Sequence, residues 1–293
     1  MKPRAFFRGV QGGLLAFCLC FGPVISIGAE ARETATAKSV NVTPWSRIVL
    51  IGASVTAGFT ESEPLGGPTT AQYRLTRYLD AAIATPHQPV RNLASTLFFT
   101  QPETEGQREI NEALKTNPTL VLGLDFLFWF SYGQGKTDDA RLQRFEHGLR
   151  LLQSISAPLV LGDIPDASAA VHRMLSEDQI PSTNALVACN RRLREWAAGR
   201  QNVTVLPLAS YMAAVQAGKP IKLHGHLLAG EQTRTYLQPD RLHPTPAGAA
   251  FLAITLLDAF QSSDTHVSGK DIRWSPAEVY RLAALRAQAD AKK

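Results

Sequence analysis

Arg47-Ile48-Val49-Leu50-Ile51-Gly52-Ala53-Ser54-Val55-Thr56 decides how the rest of the chain is read. Ile48 to Ile51 form an unbroken apolar run rich in β-branched residues, which suits a parallel strand covered on both faces. Gly52 then lets the backbone turn sharply or come close to a ligand. Ser54 falls at the carboxyl end of this strand, where open α/β sheets bind their ligands. A serine there is a candidate nucleophile only if a base can reach it. The chain supplies one near its other end, in Asp240-Arg241-Leu242-His243-Pro244.

Outward from the first strand, apolar runs alternate with helical spacing. Further strands are predicted at 90–94, 120–124, 159–162 and 203–206. Helices are predicted at 70–84, 106–115, 138–152, 183–198 and 246–260. Gly58, Pro64, Gly66, Gly67 and Pro68 predict a loop without regular structure after Ser54. Ser275-Pro276-Ala277-Glu278 is a capping box with proline in the first turn, and it opens a final helix. Five strands alternating with helices, with no internal repeat, predict a three-layer α/β/α sandwich on a parallel sheet with right-handed crossovers. Ser54, the region after the third strand and the Asp240 to Pro244 segment then share the carboxyl edge of the sheet.

A chain of 293 residues suffices for one α/β domain with a full core. Its start reads as a signal peptide over residues 1–31. Lys2, Arg4 and Arg8 precede an apolar run from Leu14 to Ile27, and Ala29-Glu30-Ala31 offers a small-x-small cleavage site. The run is short and interrupted by Gly22 and Pro23, so no stable membrane span is expected after cleavage. Phe17 and Leu19, before Cys18 and Cys20, are too large for a usual lipoprotein site. A polar linker at 32–44 and a single domain at 45–293 follow, and the expected address is periplasmic or secreted. Cleavage removes three positive side chains and one negative, taking the net charge from +5 to +3, without a basic run that would favour nucleic acid. Cys189 is then the one remaining cysteine, which leaves no intrachain disulfide, and it reads as a small buried apolar residue.

A serine hydroxyl becomes a strong nucleophile when a base takes its proton. His243 can take that proton and return it to the leaving group, and Asp240 can hold the other ring nitrogen. Gly52-Ala53-Ser54-Val55-Thr56 together with Asp240-Arg241-Leu242-His243-Pro244 and Gly248 resembles the first and last sequence blocks of the SGNH (GDSL-like) hydrolases. The resemblance covers about residues 48–260. It implies a flavodoxin-like sandwich, ester hydrolysis of acyl or acetyl groups on carbohydrate or lipid, and a Ser54, Asp240, His243 triad. The Gly-x-Ser-x-Gly elbow of α/β-hydrolases is absent.

The middle blocks depart from the family. Where it carries a glycine whose N–H binds the oxyanion, this chain has Asn92-Leu93-Ala94-Ser95-Thr96-Leu97. The backbone of Ser54 and of the Ala94 to Leu97 loop are therefore the expected donors. Where the family reads Gly-x-Asn-Asp, this chain reads Gly123-Leu124-Asp125-Phe126, so Asp125 replaces an amide donor. An ionised carboxylate has no proton to donate. Apolar neighbours favour a protonated Asp125, or one that binds a substrate hydroxyl, and Asp125→Asn is then expected to keep or raise the rate.

Phe126, Phe128, Trp129, Phe130 and Tyr132 cluster after the third strand, with Trp129 and Tyr132 the expected substrate contacts. Gly133-Gln134-Gly135 is expected to let the next loop move. His224-Gly225-His226 lacks the ligands of a metal site, Asp163 and Asp166 read as turn residues, and Arg241 as exposed. No metal or cofactor is expected. The reading is an exported serine esterase acting on a small-molecule, glycan or lipid ester. The alternative is a non-catalytic carbohydrate- or lipid-binding protein with a degraded oxyanion hole.

Overall fold

The computed structural model describes residues 42–59, 71–135, 137–264 and 267–290. They belong to a compact unit spanning residues 41–293. The segment expected to be a signal peptide, most of the expected linker and the glycine- and proline-rich stretch at 60–70 lie outside the described residues.

Five parallel strands make the sheet: β1 (Ile48–Leu50), β2 (Arg91–Asn92), β3 (Leu120–Gly123), β4 (Leu159–Gly162) and β5 (Val203–Leu206). Their order is β2-β1-β3-β4-β5, the flavodoxin-like arrangement, with β1 paired to β2 on one side and β3 on the other. Period-two alternation divides the strand residues between two cores. Ile48, Leu50, Leu120 and Leu122 enter one core; Val49, Ile51, Val121 and Leu161 enter the other. The first is covered by α2 (Leu75–Ala82), α9 (Pro246–Ser263) and α10 (Pro276–Asp290). The second is covered by α3 (Pro102–Lys115), α5 (Asp138–Leu151) and α6 (Thr183–Ala198). Both faces of the sheet are therefore dry, as the apolar strands require.

Short elements complete the sandwich. α1 (Ser54–Ala57) and α4 (Phe128–Ser131) are single turns after β1 and β3. α7 (Leu208–Ala217) follows β5, and an antiparallel hairpin of β6 (Ile221–Leu223) and β7 (His226–Leu228) leads to the short helix α8 (Gly230–Thr233).

Several boundaries differ from the sequence expectation for local reasons. α2 begins at Leu75 because Tyr73 pairs with Phe59 in an antiparallel bridge, its N–H donating to Phe59 O at 2.9 Å. α3 begins at Pro102, which needs no N–H partner in the first turn, and runs through Gly106. That glycine lets Phe126 and Phe130 approach: a Cβ there would lie 3.2 and 3.3 Å from their rings. β2 is shortened because Asn92 Oδ1 accepts the Ala94 N–H at 3.1 Å and turns the chain. Cys189 is buried and unpaired.

Candidate active site

Strand order brings the ends of β1 and β3 side by side at the point where connections leave in opposite directions. Ser54 follows β1 and Asp125 follows β3. The third contributor arrives from the turn before α9, which Thr245 caps by accepting the Gly248 N–H at 3.1 Å. Gly248 lets that helix start press against the backbone carbonyl of Tyr236, where any Cβ would collide.

Ser54 Oγ lies 2.8 Å from His243 Nε2, and His243 Nδ1 lies 2.7 Å from Asp240 Oδ2. Asp240 Oδ1 accepts the N–H groups of Leu242 (2.9 Å) and His243 (3.0 Å), so the carboxylate organises the turn that presents the imidazole. Burial pushes the Asp240 carboxyl up, but the His243 ring and these two N–H groups outweigh it and hold it below the usual range. His243 is 1% exposed and Phe59 meets its ring edge to face at 4.6 Å. The three groups form a continuous hydrogen-bonded chain from a part-exposed hydroxyl through a buried imidazole to a part-buried carboxylate.

Asp125 has a different task from the one its position implied. Oδ1 accepts the Ala53 N–H at 2.8 Å and the Thr56 hydroxyl at 2.5 Å; Oδ2 accepts the Val55 N–H at 2.8 Å. Both oxygens accept hydrogen bonds from the turn that carries Ser54, while the residue also lines the slot beside it. Burial raises its pKa, while the hydrogen bonds from Thr56, Ala53 and Val55 act against that rise. A second carboxyl supports the same turn: Glu109 Oε2 accepts the Gly52 N–H at 2.6 Å. Burial raises Glu109 to about 9. Gly52, at φ 139°, fits because a side chain there would strike Asp125. Tyr73 closes the other side, its hydroxyl donating to Val55 O at 3.0 Å.

Among the described residues, one expected oxyanion donor is open and three of the loop's N–H groups are engaged. Ser54 N–H, at the first position of α1, makes no hydrogen bond with the described residues. In the 94–97 loop the N–H of Ala94 goes to Asn92 Oδ1, that of Ser95 to Gly52 O at 3.0 Å, and that of Leu97 to Ser95 Oγ at 3.2 Å. Ala94 is thus a turn residue, its N–H spent on closing an Asx turn.

A narrow apolar slot opens beside Ser54. Trp129 lines it with Leu208, Met212, Leu242, Phe251 and Leu252. Trp129 is where the sequence reading expected a wall for substrate. Tyr132 is not: its ring is fully buried, and its hydroxyl donates to Pro165 O (2.9 Å) and accepts the Ala167 N–H (2.8 Å). The glycine loop after it is held rather than free. Arg141 Nη1 donates to Ser131 O (3.1 Å) and Gly133 O (2.8 Å), and Arg144 to the carbonyls of Tyr132 and Gln134.

The remaining candidates are structural. His224 and Gly225 both have positive φ and form the two-residue turn between β6 and β7, with His224 stacked on Trp274 at 3.5 Å. Asp163 accepts the Ala209 N–H at 2.7 Å in the first turn of α7, Asp166 the Ser168 N–H at 2.8 Å, and Arg241 is exposed. Glu109, Tyr73 and α7 escaped the sequence reading. Glu109 lies on the buried face of α3 with Gly106, Ile110 and Ala113, and a carboxyl at that spacing is the signal that could have found it.

Fold and site define a flavodoxin-like α/β protein with a serine, histidine and aspartate in hydrogen-bonded series at the switch point of its sheet. No family model and no curated protein matches the chain. Among solved structures it is similar to a lipase/acylhydrolase from Enterococcus faecalis, at 18% identity and a TM-score of 0.48 over 72% of this chain and 93% of that one. It is also similar to a GDSL-like lipase from Bacteroides thetaiotaomicron, at 14% identity and 0.45 over 77% and 91%. A psychrotrophic esterase from Pseudoalteromonas follows at 13% identity and 0.44, over 74% and 97%.

Proposed function

We propose that the chain is an exported SGNH-type serine hydrolase that cleaves carboxylic esters with an apolar acyl group. The observation that carries this reading is the Ser54 Oγ to His243 Nε2 contact of 2.8 Å, continued to Asp240 at 2.7 Å. His243 takes the Ser54 proton as Oγ attacks the ester carbonyl, and Asp240 stabilises the resulting imidazolium. The tetrahedral intermediate collapses when His243 gives its proton to the departing alcohol, leaving an acyl group on Ser54. Water, deprotonated by the same imidazole, then releases the acid. The acyl chain lies in the slot between α7 and α9 beside Trp129. The charged, then apolar, N-terminal segment supports export.

The free Ser54 N–H is the backbone donor for the oxyanion. Each such donor is worth about 100- to 1000-fold in rate, so spending the N–H groups of Ala94, Ser95 and Leu97 elsewhere slows turnover. That shortage is what favours the second reading, a binding protein that has lost catalysis. Hydrolysis of 4-nitrophenyl octanoate, and labelling by a fluorophosphonate located by mass spectrometry, separate the two. The hydrolase gives a Ser54 adduct and a rate lost in Ser54→Ala. Equal background rates and no adduct would establish the binding protein.

A further inference from the structure

The contact that carries the proposed chemistry joins two turns from distant parts of the chain: Ser54 and His243 are 189 residues apart in sequence. Each turn is closed on itself. Asp125 and Glu109 gather the backbone N–H groups of the serine turn. Asp240 gathers those of the histidine turn, and the Gln238 N–H donates to His243 O at 2.8 Å. Such internal bonds fix the shape of each turn but not the distance from one to the other. Reacting groups need that distance held to within about 0.5 Å.

A short segment, Ala71-Gln72-Tyr73, bonds to both turns. At one end the Tyr73 hydroxyl shares its proton between Val55 O at 3.0 Å and Ser54 O at 3.3 Å, in the helical turn that presents the nucleophile. At the other end the Gln238 side-chain amide clasps Ala71. Its Oε1 accepts the Ala71 N–H at 2.9 Å, and its Nε2 donates to Ala71 O at 3.2 Å. Nε2 also donates to Pro244 O at 2.8 Å, one residue beyond the imidazole. Gln238 is 3% exposed, and its amide has both protons and its oxygen engaged, which fixes the orientation of the clasp.

Further contacts place the same segment between the two turns. Tyr73 pairs with Phe59, whose ring meets that of His243 at 4.6 Å. Burial, then the charges of Asp125 and Asp240, raise the Tyr73 pKa, as expected of a hydroxyl that faces the carboxylates of both turns. Another tie to the histidine turn, from Arg173 Nη1 to Pro239 O at 2.9 Å, comes from an exposed side chain. That arginine bonds nothing in the serine turn among the described residues.

We infer that Ala71 to Tyr73 form a strut that sets the distance between the nucleophile and its base, and that Gln238 is the positioning residue that couples the strut to His243. The consequence for rate rests on the proposed ester hydrolysis, but the spacing of the two side chains does not. Gln238→Glu removes the donors to Ala71 O and Pro244 O while keeping an acceptor for the Ala71 N–H. Tyr73→Phe removes the hydroxyl and keeps the ring against Phe59. Each is expected to lower kcat on 4-nitrophenyl octanoate about tenfold with KM nearly unchanged. Cutting one strut twice does little more than cutting it once, so the double variant is expected within about threefold of the slower single variant. A double variant slowed by the product of the two single effects, or single variants with unchanged kcat, would overturn the strut. Gln238→Asn, the same amide on a shorter stem, carries the test if the glutamate variant does not fold. The contact itself is read by NMR without any ester, as the change in the His243 Nε2 nitrogen shift when Ser54 becomes alanine. Ser54→Ala is expected to move that shift in the parent and to leave it in place in the Gln238→Glu and Tyr73→Phe backgrounds. The same displacement in all three would overturn the strut and leave ester hydrolysis standing. No hydrolysis by the parent, with a displacement that depends on Gln238 and Tyr73, would instead overturn the hydrolase and keep the strut.

Discussion

An amide cannot stand in for the Asp125 carboxylate, because both oxygens already receive backbone N–H groups. Ala53 donates to one and Val55 to the other, at 2.8 Å each. In Asp125→Asn the Nδ2 must face one of those donors, so an acceptor is lost and two N–H groups oppose each other. A buried donor left without its partner costs about 1–3 kcal/mol. The displaced group is the turn that aims Ser54, and misplacement of a reacting atom by about 1 Å can cost on the order of 100-fold. We expect Asp125→Asn to lower kcat on 4-nitrophenyl octanoate by about 10- to 100-fold with KM nearly unchanged and circular dichroism retained. This reverses what the sequence alone implied. Reading Asp125 as a replaced oxyanion donor predicted an equal or faster asparagine variant, and an unchanged kcat would return the argument to that reading.

At the scale of elements, the slot depends on α7, which the sequence reading left out. Leu208-Ala209-Ser210-Tyr211-Met212-Ala213-Ala214-Val215-Gln216-Ala217 mixes apolar and small residues without a sharp stripe, because the helix is covered unevenly. Leu208 and Val215 are buried, whereas Tyr211 and Met212 are half-buried against the slot. Met212 is unbranched and adaptable, so it can yield to a chain that a rigid ring would block. Met212→Trp is expected to shift preference from octanoyl toward acetyl nitrophenyl esters by at least about tenfold in relative kcat/KM, as one lost methylene contact is worth about 1–3 kcal/mol. An unchanged chain-length profile would show that the acyl group lies elsewhere. The glycine-bearing loop after α4 teaches the complementary lesson. Composition predicts motion, yet Arg141 and Arg144, from the helix that follows, fix its carbonyls.

Over the whole molecule, one carboxyl beneath the nucleophile turn and one behind the imidazole tie stability to pH. Glu109 has an ordinary value of 4.5 and is raised to about 9 in the fold, chiefly by burial. The folded chain therefore holds a proton that the unfolded chain releases. Its contribution is complete below the ordinary value and is lost as pH rises toward the folded one. Asp240 has the opposite sign: its lowered pKa stabilises above the usual aspartate range and is lost in acid. Glu109→Gln keeps a carbonyl for the Gly52 N–H and removes the titration. Thermal melts between about pH 5 and pH 9 should fall less steeply in this variant than in the parent; parallel slopes would show that Glu109 does not titrate there. By itself the sequence determined the strands β1, β3, β4 and β5, the parallel α/β class and the segments holding Ser54, Asp240 and His243. Those follow from unbroken apolar runs, period-two burial and turn residues, all of which act locally. Only the tertiary structure decided that Asp125 and Glu109 brace the nucleophile turn, that Ala94 spends its N–H on Asn92, that Tyr132 is sealed in the core and that α7 walls a slot. The physical reason is that a polar group's role is set by the partner that satisfies it, and for the two bracing carboxyls that partner lies more than 50 residues away along the chain.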